Sequence, residues 1–381
     1  MSLEGEYRIP GNGVSVFQGG PDYFNTLFDR IRGARIFIHI QMYILADDTT
    51  GNRLLEELFS AAQRGVKVFL LLDAFGSSWV RNAHLKSWKA KGLQVKLFSR
   101  RLRLKRLVLG RRLHVKLMVI DNHWLSIGGL NMADRYSGLD GQTPWLDMAS
   151  WIRGPAVKYA NTEAAVYWPR KVQRYLKSQA GAPIVAENIA LSVYFNDWRR
   201  RRFHIRQAYH EAIRAAKSEI FIVAAYFFPS RKLLRLLLEK AKEGIHIKLL
   251  FSSVSDVPLV KPATEYYYQK LQAAGIEILE WQGSILHAKF ACIDREWITL
   301  GSYNLNQLSD YGSLETNIAF SSKEIAQALL EELQGSVLSY SQSVNTLPAS
   351  LFARFKRYFS YLALRLALRI MFLTNRPASD V

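Results

Sequence analysis

Cysteine is nearly absent: Cys292 is the only one in 381 residues. That excludes an intramolecular disulfide and any zinc site built from several thiolates. Also missing are a charged-then-apolar leader and an uninterrupted apolar run long enough to span a bilayer. The expectation is a protein on the cytoplasmic face of the membrane, attached only peripherally. Acid is scarce as well, with 32 Asp and Glu against 51 Lys and Arg, a formal charge of +19. Such a balance attracts polyanions, and nucleic acid and anionic membrane are the two obvious kinds. The carboxylates form no cluster suited to a metal ion, so no metal and no cofactor are expected.

What is present is a globular composition, 49% hydrophobic and 12% aromatic, over a length comfortable for two domains. The chain is written twice. "RIFIHIQMYIL" (35–45) resembles "EIFIVAAYFFP" (219–229), both reading as buried strands. Leu54, Leu55, Leu58 and Ala62 match Leu233, Leu234, Leu237 and Ala241 at a constant offset of 179, with helical spacing. Each run stops at a glycine, Gly65 or Gly244. A strand, a short helix and another strand follow in both copies. This alternation predicts an α/β fold of two duplicated lobes, each a mixed, mostly parallel sheet flanked by helices. The lobes are read as residues 1–185 and 186–345, joined near "KSQAGAPIVAEN", with a tail at 346–381.

Two strands in this repeat carry polar residues. "LHVKLMVID" (113–121) and "LHAKFACID" (286–294) share the pattern H-x-K-x4-D: His114, Lys116 and Asp121, then His287, Lys289 and Asp294. A strand repeats its facing every two residues, so each His and Lys project side by side. Seven residues after each Asp comes a small pair, Gly128-Gly129 or Gly301-Ser302, and seventeen after each His comes Asn131 or Asn304. One such match is weak; two with identical internal spacing are not chance. A duplication that retains both suggests one site assembled at the interface of the halves.

These residue types suit phosphodiester chemistry. Attack on a dialkyl phosphate needs a nucleophile, a proton donor for the leaving alkoxide and positive charge at the phosphoryl oxygens. Two histidines divide the first two tasks, since a neutral imidazole attacks and a protonated one donates. Lys116 and Lys289 supply compact cations, and Asn131 and Asn304 offer amide donors from the turn after the strand. Asp121 and Asp294 stand at odd spacing from their histidines and read as supports, paired to lysine or backbone. A histidine in this role also needs a carboxylate to fix its tautomer. Asp147 in "WLDMASWI" and Glu315 in "SLETNIAF", 33 and 28 residues after their respective histidines, are the orienting candidates.

With "GGLN" and "GSYN", these motifs resemble the phospholipase D superfamily, over roughly residues 12–335. The chain is similar in particular to bacterial cardiolipin synthases, through "AAQRGVKVFLLLDAFGS", "VIDNHWLSIGGLN", "WIRGPAV", "AYFFP" and "LGSYNLNQLS". It looks like the members without N-terminal membrane helices. The resemblance implies catalytic roles for the two H-x-K-x4-D motifs, with Gly129, Ser302 and the two asparagines in support. It also implies transfer of a phosphatidyl group through a covalent intermediate, with His114 as nucleophile and His287 as acid and base. Phosphatidylglycerol would be the donor and a phospholipid alcohol the acceptor.

The tail favours lipid. "SLFARFKRYFSYLALRLALRI" (350–370) puts Arg354, Arg357, Tyr361, Arg365 and Arg369 on one helical stripe, with Leu351, Phe355, Phe359, Leu362, Leu366 and Ile370 elsewhere on its surface. That basic amphipathic helix suits an anionic phospholipid interface. Arginine runs at 199–202 and 100–112 would add attraction, and the longer segment "SRRLRLKRLVLGRRL", with seven basic residues and no acid, would rim the site. The alternatives are a phospholipase D-type hydrolase or nuclease on the same fold, or a basic binding protein with a fossil site. Nucleic acid gives no account of the apolar tail, and two intact motifs argue against decay. The remaining histidines (39, 84, 123, 204, 210 and 246) have no repeated counterpart and read as structural or exposed.

Overall fold

Strands that alternate two apolar faces dictate the layering. The computed structural model describes residues 7–99, 111–344 and 350–373. The N-terminal half contributes β1 (Ile9–Phe17), β2 (Phe37–Met42), β3 (Lys67–Asp73), β4 (Leu93–Phe98), β5 (Arg112–Leu113), β6 (Leu117–Ile120), β7 (Trp124–Gly128) and β8 (Ala149–Arg153). The C-terminal half contributes β9 (Ile189–Asp197), β10 (Arg202–Phe203), β11 (Glu219–Ala224), β12 (His246–Ser252), β13 (Glu277–Trp281), β14 (Lys289–Ile293), β15 (Trp297–Gly301), β16 (Ser313–Ser321) and β17 (Ser341–Ser343).

Pairing follows one order twice: β1-β8-β7-β6-β2-β3-β4 and β9-β16-β15-β14-β11-β12-β13. In each half three strands run parallel (β2-β3-β4, β11-β12-β13), and the hairpin β6-β7 or β14-β15 joins them antiparallel. The sheets are therefore mixed, as the duplicated α/β pattern implies. Helices at Thr49–Gln63 and Arg231–Lys242 make the parallel crossovers. They are capped by Asp48 and Ser230, which accept from the Gly51 and Leu233 amides. Gly65 and Gly244, at φ 89° and 86°, turn the chain into the next strand in a region that side chains avoid.

Each hairpin strand feeds two cores. Leu117 and Val119 join Phe290 and Cys292 in a core that draws on both halves. Met118 and Ile120 instead lie under the N-terminal helices, and Ala291 and Ile293 under the C-terminal ones. The central core makes the lobes one body. β1 reinforces this by pairing with β8 in its own half and with β9 in the other.

The tail is a helix, Leu351–Leu373, and it docks by part of its basic stripe. The inner part of the basic stripe turns towards the protein: Arg357 pairs with Glu265 at 3.1 Å, and Tyr361 stacks on Tyr266 at 4.1 Å. Leu351, Phe352, Phe355, Phe359, Leu362, Leu366 and Ile370 face outward, Phe352 78% exposed. Among the described residues no helix is long and apolar enough to cross a membrane. Residues 100–110 of the expected basic rim lie outside the described residues. In the second arginine run, Arg200 and Arg202 both pair with Glu163.

Candidate active site

Both polar motifs sit where the parallel strands end, the usual place for a ligand in an open α/β sheet. The regular strand begins later than the sequence pattern suggests: β6 starts at Leu117, after the His and Lys, and β14 starts at Lys289. Leu113 and Val115 still bury alternately in the central core, which keeps His114 and Lys116 on the other side. Two short pairings across the halves then place each histidine. The His114 amide donates to the Leu314 carbonyl at 3.0 Å, and the His287 amide to the Leu146 carbonyl at 2.7 Å.

Leu314 and Leu146 immediately precede the two candidate carboxylates. His114 Nδ1 consequently lies 2.9 Å from Glu315 Oε2, and His287 Nδ1 lies 2.6 Å from Asp147 Oδ2. Each carboxylate serves the histidine of the opposite half, not the one it follows in sequence. Both are fully buried, whereas the imidazoles retain 14% and 6% exposure for His114 and His287. With Nδ1–H donated to a carboxylate, Nε2 is the nitrogen left to meet a substrate.

Lys116 and Lys289 curl back to the carbonyls of His114 and His287, and both are buried. Burial lowers the Lys116 ammonium to about 7 and Lys289 to about 8. Burial also lowers His114, opposed chiefly by Glu315. His287 is held well below its ordinary value by burial and then by Lys289 and Lys116. The Lys289 ammonium stands 2.9 Å from His287 Nδ1, so its charge adds to the effect of burial. Burial pushes Asp147 up to about 7. An anionic phosphate arriving between the lysines would offset the very charges that keep His287 low.

The supporting residues divide into two kinds. Asp121 and Asp294 stand away from the chemistry, on hairpin turns at φ 55° and 53°. Asp121 accepts from the amides of Arg35, Ile36 and Phe37, and Asp294 from those of Lys217, Ser218 and Glu219. They pin each hairpin to the start of β2 or β11. Gly129 and Ser302 serve the carboxylates directly. A Cβ at Gly129 would lie 2.1 Å from Asp147 Oδ1, while the Ser302 hydroxyl donates to Glu315 Oε2 at 2.6 Å. Ser309 donates to the other Glu315 oxygen at 2.7 Å.

Asn131 is already engaged, accepting from the Ile44 amide and donating to the Tyr136 hydroxyl at 2.9 Å. Asn304 is buried with its side-chain carbonyl unpartnered among the described residues. Of the aromatic walls, sequence reasoning reached only Tyr136, in the stretch "NMADRY" that could shape an alcohol pocket, and missed Tyr43, Trp145 and Tyr226. Tyr43 meets His114 edge-on at 4.9 Å, and Tyr136, Trp145 and Tyr226 surround His287 at 5.3, 5.9 and 5.9 Å. The usable signal was a tyrosine at the end of each first inner strand, in "QMYIL" and "AAYFFP". The set brings two carboxylate-oriented imidazoles and buried positive charge within electrostatic reach of one another.

Comparison with known proteins agrees with that chemistry. The family described as "Cardiolipin synthase, PLD-like domain" matches residues 27–147 and 209–336, one segment per half. Cardiolipin synthase B of Salmonella typhi and that of Escherichia coli (strain K12) are each 30% identical over 347 residues, covering 88% of this chain and 83% of theirs. A cardiolipin synthase of Oceanobacillus iheyensis is 29% identical, covering 92% of this chain and 74% of its own. Among solved structures, phosphatidylserine synthase from Haemophilus influenzae shares the fold at a TM-score of 0.70 and 14% identity, covering 98% of this chain and 96% of that one.

Proposed function

The chain belongs to the cardiolipin synthase family with a phospholipase D-like domain, and from that premise we propose that it makes cardiolipin from two molecules of phosphatidylglycerol. The observation that carries the reading is the pair of histidines, each oriented by a buried carboxylate of the other half and flanked by a buried lysine.

His114, neutral at Nε2, attacks the phosphorus of the donor. The bond to the glycerol oxygen breaks, and protonated His287 gives its proton to that oxygen, releasing glycerol. Glu315 stabilises the positive charge on the phosphatidylated His114 ring. The hydroxyl of the second phosphatidylglycerol then passes its proton to His287 as its oxygen bonds to phosphorus. The P–N bond breaks and its electrons return to His114, closing the cycle. Lys116 and Lys289 hold the nonbridging oxygens throughout, more tightly as charge develops in the transition state. Residues 1–185 and 186–345 would act as the two lobes of this single site.

The tail (346–381) attaches the enzyme peripherally to the cytoplasmic face, its outward apolar stripe entering the interface of an anionic bilayer.

Purified protein with phosphatidylglycerol vesicles should yield cardiolipin and glycerol in equal amounts. Absence of both cardiolipin and phosphatidic acid with every donor and acceptor pair would sink the reading. With phosphorus-labelled donor, wild-type protein quenched during turnover should carry label on His114, and His287→Ala should slow both the appearance and the loss of that label. Label on His287 in a His114→Ala variant, and none in the converse, would reverse the two roles.

A further inference from the structure

Making cardiolipin handles two phosphodiesters, the one transferred and the one already on the acceptor lipid. Lys116 and Lys289 sit beside the two histidines and are committed to the first. The second needs its own cation on the side of His287, where the acceptor hydroxyl gives up its proton. We propose that Arg135, held against Trp145, binds the phosphate of the acceptor phospholipid; this rests on the cardiolipin-forming reading and on His287 as the base.

Arg135 lies on the short helix Asp134–Ser137, which the Trp145 amide ties down by donating to the Arg135 carbonyl at 2.7 Å. Its guanidinium carbon stands 5.0 Å from the Trp145 ring centre and 5.5 Å from that of Tyr136. Those same two rings pack against the His287 imidazole. One aromatic ring therefore separates the cation from the base. A glycerol bridge sets a comparable span between the attacking hydroxyl and its phosphate, three carbons away. The guanidinium lies within hydrogen-bonding reach of the Tyr136 hydroxyl, and its remaining N–H groups offer a planar donor pair that matches two phosphate oxygens.

The charge on Arg135 is also unspent. Some exposed or half-exposed arginines pair with acids, Arg32 with Glu57, Arg153 with Glu187 and Arg295 with Glu219, and others, such as Arg64, donate to neutral groups. Among the described residues Arg135 has no carboxylate within ion-pairing distance. The feature breaks the internal symmetry, because the corresponding helix of the second half, Gln307–Tyr311, reads "QLSDY" and has no arginine. A site with equivalent halves must be made unequal if one side is to receive a second charged lipid.

Among the described residues Arg112 is another arginine near the site with no carboxylate in ion-pairing distance, two residues before His114 and stacked at 4.4 Å on Phe75. It lies on the nucleophile's side, where no acceptor hydroxyl enters, and so provides the control. In phosphatidylglycerol vesicles, Arg135→Gln should lower the ratio of cardiolipin to phosphatidic acid by about 10- to 100-fold, the worth of a charge-assisted contact. It should also raise the KM for acceptor lipid, and Arg135→Lys should restore part of the ratio. An unchanged ratio, with both products falling together or neither, overturns the proposal. So does a shift in ratio caused by Arg112→Gln in place of Arg135→Gln. Wild-type protein that hydrolyses phosphatidylglycerol without forming cardiolipin overturns the parent reading and this one with it.

Discussion

Gly129 owes its identity to a neighbour's carboxylate. A methyl group there would fall 2.1 Å from Asp147 Oδ1, so Asp147 would have to move, and His287 depends on it. Gly129→Ala should reduce kcat by at least about 100-fold with the fold retained, as expected when a catalytic group shifts by an ångström. Steady-state kinetics beside a thermal melt will separate the two effects. Glu315→Gln should do the same to the other histidine. By analogy with an orienting aspartate replaced by its amide, kcat falls by about 10⁴, and the burst of label on His114 disappears in rapid-quench experiments. At this scale the sequence was readable wherever a pattern recurred. His114, Lys116, His287 and Lys289 stood out because two identical spacings cannot both be accidents. The crossing of Asp147 to His287 and of Glu315 to His114 was invisible. Counting forward from each histidine assigns a carboxylate to its own half, and only the docking of the halves reveals the exchange.

The helix Leu351–Leu373 shows a similar division between what periodicity tells and what packing decides. Its spacing revealed one apolar and one basic stripe, but an amphipathic helix can dock by either. Arg357, Tyr361 and Arg365 face inward because Glu265 and the stacked ring of Tyr266 offer them partners. The aromatic stripe, with Phe355 and Phe359 stacked at 6.2 Å, is left outside. Val254, Val257 and Leu259, in the loop after β12, are exposed as well. Replacing both Phe355 and Phe359 by Asp should weaken binding to phosphatidylglycerol-rich vesicles by about 100-fold or more, since each buried ring contributes about 1.5–3 kcal/mol. Co-sedimentation measures the loss, and an unaltered melting curve would show that the globular body is intact. Binding that survives the double substitution would rule out this stripe as the membrane contact.

The fold class and duplication were legible along the whole chain, because buried parallel strands and capped helices leave strong periodic signals. The single central core was not, since a residue such as Val119 cannot announce that it shares a core with Phe290 of the other half. Within that body, His39 is buried with Nδ1 donating to Asn161 and Nε2 accepting from Trp168, a fully satisfied neutral ring. Burial lowers it to about 4. Between about 6.5 and 4 the unfolded chain carries a proton there that the folded chain refuses, so stability falls as pH drops through that window, by up to about 3 kcal/mol. Asp147, raised to about 7, acts in the opposite direction, so the comparison must isolate His39. Urea unfolding of wild type and His39→Gln at pH 7 and pH 5 does so: the stability gap should narrow at the lower pH, and a constant gap would refute the account.

The exchange of carboxylates between halves has a consequence in time. A ribosome delivers His114 some 200 residues before Glu315, the group 201 positions on that orients it. During that interval His114 has no carboxylate to anchor its tautomer. Asp147 in turn waits for His287. A site whose two histidines each wait for a carboxylate of the other half is complete only once both halves have been made.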